Sequence, residues 1–120
     1  DFAKNTAQTI DFFNDSLIEL DQLTLPQVMG NRELEAFYIS LSNILKKYLL
    51  AKFFFNATKM TTDEILNYLI SNNIPSAGLK SLLQEADLCK FAQKKYGATT
   101  LVEAKNTAKS ILADLESATI

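Results

Sequence analysis

The 120-residue sequence predicts an all-α fold, a single-domain bundle of about five helices around a central helix near residues 32–55. Residues 32–55 contain neither glycine nor proline, and apolar side chains recur there every three or four residues, which is the helical period. The whole chain has only two prolines and three glycines, so few positions interrupt a helix. The hydrophobic fraction of 48 % is ordinary for a globular domain and argues against disorder.

The first helix is predicted at about residues 6–23, where one face repeats apolar residues. Another face carries the acidic row Asp11, Asp15 and Glu19, in which each acid is four positions after the last. This row is interpreted as a solvated face or, alternatively, as an acidic contact strip for a basic partner. The apolar connector at residues 24–31 is expected to lie over the bundle, and Asn31 is expected to cap the central helix.

Aromatic residues are concentrated in the central helix. The aromatic residues in this segment are Phe37, Tyr38, Tyr48, Phe53, Phe54 and Phe55. We expect Tyr38 and Tyr48 to be half-buried, with their hydroxyls in water. Three consecutive rings at residues 53–55 point to more than one side of a helix, so at least one of them should be poorly covered. The triplet either packs beneath the following loop or presents an apolar contact patch to a partner.

A basic cluster follows in the same part of the chain, because residues 46–60 contain four lysines and no acidic residue. Its members are Lys46, Lys47, Lys52 and Lys59. Lysines at the carboxyl end of a helix complement the helix dipole, which is the favoured interpretation. The alternative is a patch for nucleic acid or lipid, although the net charge of −2 provides no general attraction to either. Lys46, Lys47 and Lys52, together with residues 53–55, are candidate contacts for a protein partner.

Three further helices are predicted after the break at residues 56–60. Thr61 and Glu64 have the spacing of a capping box, which opens a helix that continues to about residue 72. Ser76 is expected to cap the next helix, and Gly97 is expected to take the left-handed conformation that ends it. Thr100 and Glu103 repeat the box and open the last helix. Core positions are expected at Ile65, Leu66, Leu69, Ile70, Leu79, Leu82, Leu83, Ala86, Phe91, Leu101, Ala104, Ala108, Ile111 and Leu115.

The residue inventory excludes several kinds of reaction centre. There is no histidine and only one cysteine, which removes the usual zinc sites and imidazole-dependent catalysis, and no cofactor is expected. Cys89 is expected to be a small buried residue, and a single cysteine fits a reducing compartment. Acids at Asp63 and Glu64 suit the first turn of a helix, and Asp87 with Lys90 is expected to form a surface pair.

Three segments, taken in order, resemble a known bacterial family. Residues 35–49 read EAFYISLSNILKKYL, residues 61–66 read TTDEIL, and residues 86–92 read ADLCKFA after Leu83. They are similar to the motifs of the C-terminal cytoplasmic helical domain of BatD-like proteins, from the Bacteroides aerotolerance operons, over residues 17–91. Lys46 stands where that family often has arginine, and Cys89 where it often has valine. The motif residues are Phe37, Tyr38, Tyr48, Thr61, Glu64, Asp87, Lys90 and Phe91.

The resemblance implies a non-enzymatic interaction or scaffold domain of a stress-response membrane protein. Its implied partners are a MoxR-type AAA+ ATPase and von Willebrand A-domain proteins. We therefore expect an excised fragment of a longer protein, held at the cytoplasmic face of the inner membrane by an anchor helix outside these 120 residues. Two alternatives remain open on the residues alone. They are a small helical enzyme or ligand-binding domain without a metal, and a weak nucleic-acid-binding module that uses the lysine cluster.

Overall fold

The computed structural model describes residues 12–118, and this part of the chain folds into five α-helices and one short 3₁₀ helix. No strand occurs within residues 12–118, so the predicted all-α class is confirmed. The predicted first turn of the first helix, and Asp11 of the acidic row, lie outside the described residues. The elements are α1 (Phe12–Gln22), α2 (Asn31–Phe53), the 3₁₀ helix (Ala57–Lys59), α3 (Thr62–Ser71), α4 (Ala77–Ala92) and α5 (Ala98–Ser117).

Helix α2 is the centre of the bundle, as its apolar period predicts. It carries ten of the buried residues and packs against α1, α4 and α5. Helix α3 does not pack chiefly on α2: it packs on α4 and therefore lies at the edge of the bundle. In the connector before α2, Leu25 and Met29 pack against the core as expected, whereas Val28 is largely exposed.

The Thr-x-x-Glu motif occurs twice near a helix start, and only its first copy forms a capping box. Thr61 forms the predicted capping box: its Oγ1 accepts the Glu64 N–H at 3.2 Å, and the Glu64 carboxylate accepts the Thr61 N–H at 2.9 Å. The second predicted box is wrong, because α5 begins earlier, at Ala98, and places Thr100 inside its first turn. Asn31 is not the cap of α2 either: that position belongs to Gly30, and Asn31 is the first helical residue.

The helix ends also differ from the prediction. Helix α4 stops at Ala92, and Gln93 takes the left-handed conformation at φ 55°. The left-handed prediction for Gly97 is wrong, because its φ of −84° is extended backbone at the amino cap of α5. Ser76 does occupy the amino cap of α4, although its side chain makes no capping hydrogen bond.

The core contains most of the predicted inward residues, and Cys89 is buried as expected. The predicted burial is wrong for two residues: Ile70 is 65 % exposed and Phe91 is 80 % exposed. The reason is the edge position of α3. Because α3 packs chiefly on α4, no other helix of residues 12–118 covers Ile70 and Phe91 on the outer faces of this pair. Among the described helices, none is both long enough and apolar enough to cross a membrane.

Candidate functional site

The lysines predicted as a contact cluster are divided among several neighbours. Lys47 lies 2.9 Å from a carboxylate oxygen of Glu19, which joins α2 to α1. Lys52 lies 3.7 Å from the Glu116 carboxylate and joins α2 to α5. Lys46 is partly buried, and this burial, followed by the nearby charge of Lys90, lowers its pKa. Two of the four lysines of the cluster therefore form ion pairs between helices of the bundle.

The aromatic triplet is divided as well. Phe53 and Phe55 are buried, and the Phe55 ring stacks on Tyr68 with 4.0 Å between ring centroids. These two rings are therefore core residues, and the prediction that they form surface contacts is wrong. Only Phe54 is presented to solvent, at 84 % exposure. Its left-handed backbone, with φ 61°, ends α2 and turns the chain, so the three rings do not follow one helical face.

Tyr38 and Tyr48 are fully buried, which corrects the expectation of half-buried rings with hydroxyls in water. The Tyr38 hydroxyl donates to Glu85 Oε2 at 2.6 Å, and the Tyr48 hydroxyl donates to Glu116 Oε1. Burial raises the pKa of both phenols, and the accepting carboxylates raise it further. Each phenol is protonated and donates a hydrogen bond to a carboxylate of another helix, so it joins two helices. Neither hydroxyl is available as a base or a nucleophile. Phe37, the other aromatic motif residue of this helix, is also in the core.

A long concave surface lies between α3 and α4. Its first part has a volume of about 560 Å³ and lies between the start of α3 and the end of α4. Its second part, of about 430 Å³, shares Asp63 and Gln84 with the first, so the two form one continuous feature, here named the α3–α4 groove. The lining residues are Thr61, Thr62, Asp63, Leu66, Asn67, Ile70, Ser76, Lys80, Gln84, Asp87, Leu88, Phe91 and Ala92.

Two antiparallel helices form this groove. The start of α3 lies beside the end of α4, because the Thr62 hydroxyl donates to Asp87 Oδ2 at 2.5 Å. The end of α3 lies beside the start of α4, where Ile70 and Lys80 line the same hollow. Side chains spaced three or four apart share one helical face, so each helix contributes a row of residues along the groove.

Three large apolar side chains in the groove are exposed. Phe91 is 80 % exposed, Ile70 is 65 % exposed and Leu88 is 44 % exposed. Phe91 and Leu88 lie at the end near the start of α3, and Ile70 lies at the opposite end. Exposed apolar side chains that share one concave surface are typical of protein-binding sites, whereas scattered ones are not.

The charges in the groove are also separated by position. Asp87 lies at the Phe91 end, Lys80 lies at the Ile70 end, and Asp63 lines both parts of the groove. Asp87 is held in place by Thr62 and by Lys90, whose Nζ is 3.7 Å from Asp87 Oδ1, so the predicted helix pair is confirmed. Lys90 also lies over the Phe91 ring, 5.5 Å from its centroid. The groove therefore has an aromatic end, where Asp87 is paired with Lys90, and an aliphatic end that carries Lys80.

Sequence reasoning found part of this site. Thr61, Asp87 and Phe91, which it selected as motif residues, all line the groove. It missed Ile70 and Leu88 as exposed residues, since the helical period alone does not show which faces find a covering helix. Within residues 12–118, no group of three or more histidine, cysteine, aspartate and glutamate side chains is arranged to hold a metal ion. Comparison of the chain with protein-family models, curated proteins and solved structures finds no match.

Proposed function

We propose that this domain is a non-enzymatic protein-interaction module and that the α3–α4 groove is its docking surface. The observation that carries the proposal is the exposure of Ile70, Leu88 and Phe91 within one continuous groove. An aromatic side chain that is four-fifths exposed adds little to the stability of the isolated fold, but it supplies a large apolar contact when a partner covers it. The wide, open form of the groove suits a helical face better than an enclosed small molecule.

The family resemblance supports a specific setting for this module. Thr61 comes from one of the similar segments, and Asp87 and Phe91 come from another, yet all three line the same groove. In the BatD-like setting, the domain works at the cytoplasmic face of the inner membrane. It acts there as a scaffold for a MoxR-type AAA+ ATPase and for von Willebrand A-domain proteins. The nucleic-acid alternative has less support, because Lys47 and Lys52 are paired with carboxylates inside the bundle.

The test is a binding measurement between the purified protein and a MoxR-type ATPase and von Willebrand A-domain proteins of the same organism. Immobilised wild type should retain at least one of them, and Phe91→Asn should weaken that binding by about ten-fold or more, since anchors of this kind dominate interfaces. Phe54→Asn is the matched control, because Phe54 is equally exposed at 84 % but does not line the groove. Equal binding by the two variants would refute the groove as the docking surface. If neither this domain nor the full-length protein associates with any of them, the assigned partners are refuted.

A further inference from the structure

Helices α1 and α3 are almost equal in length but differ in how they are attached to the bundle. Helix α1 has 11 residues and packs on both α2 and α5. Helix α3 has 10 residues and packs chiefly on α4. Isolated helices shorter than about 12 residues are marginal in water, so each of these two depends on contacts with its neighbours. Helix α3 has fewer neighbours on which to depend.

Polar contacts between helices show the same difference. Three of them join α1, or the residue that follows it, to other helices. They are Glu19 with Lys47, Asp21 with Lys109, and the Leu23 carbonyl with Lys105. Among residues 12–118, one side-chain hydrogen bond joins α3 to another helix, from the Thr62 hydroxyl to Asp87 Oδ2. That bond lies at the start of α3, so apolar packing holds the rest of this helix.

The apolar attachment of α3 depends on few side chains. Its buried residues are Ile65, Leu66 and Leu69, and the Tyr68 ring stacks on Phe55 in the turn after α2. Helix α4 does not depend on α3 in the same way, because it also packs on α2 and α5. Segments with few buried apolar contacts open at a lower free energy than the rest of a fold. Release of α3 therefore leaves the packing among α1, α2, α4 and α5 in place.

We infer that α3 is a lid, which opens from α4 as one unit by local unfolding while α1, α2, α4 and α5 stay folded. Opening breaks the hydrogen bond between Thr62 and Asp87 and separates the Tyr68 ring from Phe55. The α3–α4 groove belongs to the closed form, because both helices line it. Opening therefore removes the docking surface. This last consequence rests on the proposed function, whereas the opening itself does not.

Hydrogen exchange of the full chain under native conditions tests the opening. The amides to compare are those of residues 65–72 in α3 and 16–23 in α1, which lie beyond the unbonded first turn of each helix. Protection factors in α3 should be uniform, at least about ten-fold lower than in α1 and about 100-fold lower than the highest in α2. The urea dependence of exchange in α3 should be shallower than in α2, since less surface is exposed. Equal protection and equal urea dependence in all three helices would overturn the inference.

Two substitutions distinguish opening of the lid from unfolding of the whole domain. Ala108→Gly weakens α5, where this residue is fully buried, and should speed exchange in α2 at least about five-fold. It should leave exchange in α3 unchanged, because α5 stays folded when the lid opens. Thr62→Val removes the bond to Asp87 and should speed exchange in α3 about ten-fold, whereas Thr62→Ser, which keeps a hydroxyl, should speed it less. If Ala108→Gly speeds α2 and α3 equally, α3 opens only with the rest of the domain and the lid is refuted.

A partner that occupies the groove should hold the lid closed. A MoxR-type ATPase or A-domain protein at about 100 times its Kd should slow exchange in α3 about 100-fold, and Phe91→Asn should reduce that slowing about ten-fold. If α3 opens alone but neither protein slows its exchange, the lid stands and the groove is refuted as their docking surface. If α3 does not open alone but a partner binds through Phe91, the lid is refuted and the proposed function stands.

Discussion

Replacing Thr61 by alanine removes one half of the capping box at the start of α3. The hydroxyl that accepts the Glu64 N–H at 3.2 Å is lost, whereas the Thr61 N–H still donates to the Glu64 carboxylate at 2.9 Å. Loss of a threonine cap costs about 1 kcal/mol in typical proteins and about 2 kcal/mol at most. Thr61 is exposed, so water can satisfy the released amide, and we expect about 1 kcal/mol. For a domain of this size, that corresponds to a fall in Tm of about 3–5 °C.

The same substitution at Thr100 should have a different effect. Thr100 belongs to an identical Thr-x-x-Glu pattern, but it lies inside the first turn of α5 and makes no capping bond. Alanine has a higher intrinsic helix propensity than threonine by less than about 0.7 kcal/mol, which offsets the loss of a half-buried methyl group. We therefore expect Thr100→Ala to change the free energy of unfolding by less than about 0.5 kcal/mol.

Urea unfolding monitored by far-ultraviolet circular dichroism measures both changes, provided that the m values agree. Thr61→Ser is the matched control, because serine keeps a hydroxyl acceptor at the cap and should retain most of the stability. Equal losses for Thr61→Ala and Thr100→Ala would refute the distinction between the two motifs. A wild-type stability for Thr61→Ala would show that the cap contributes nothing measurable.

Three further substitutions or treatments follow from the described contacts. Burial and the Glu85 carboxylate raise the pKa of Tyr38 above its ordinary 10.0, so this tyrosine ionises first in the unfolded protein and the free energy of unfolding falls as pH rises above about 10. Tyr38→Phe should make this fall shallower, which urea unfolding at several pH values measures. Gly97→Ser should stabilise the protein by about 0.5 kcal/mol, because Gly97 caps α5 with φ −84°; a loss of stability on thermal melting would contradict that backbone assignment. Burial raises the pKa of the Cys89 thiol, so a maleimide reagent should label it only after urea unfolds the protein, and rapid labelling of native protein would contradict its burial.

The sequence predicts the core of α2 well because α1, α4 and α5 together cover the apolar face of this helix. Burial of Phe37 and Leu41, and of the residues that follow at the same period, needs no knowledge of which helix covers them. The thiol of Cys89 is predictable for a similar reason, since a small apolar residue follows the inward row of its helix. The all-α class follows from these periods together with the scarcity of glycine and proline.

Other features depend on residues that are distant in the chain. The hydroxyl of Tyr38 meets Glu85, 47 residues away, and that of Tyr48 meets Glu116, 68 residues away. A local pattern gives no indication of such partners, so the sequence suggests hydroxyls in water. The lysine cluster is misleading for the same reason, because Glu19 and Glu116 approach it only after α1 and α5 have packed on α2.

The sequence does not predict the α3–α4 groove, because it does not show that the faces of Ile70 and Phe91 are left uncovered. Ile70 and Phe91 continue the apolar periods of α3 and α4, and a period predicts burial only if another helix lies above that face. Here α3 packs chiefly on α4, and Ile70 and Phe91 stay exposed among the helices of residues 12–118. A partner that docks in the groove, as proposed above, would supply a covering layer, and the helical period would then describe the positions of Ile70 and Phe91 in the complex.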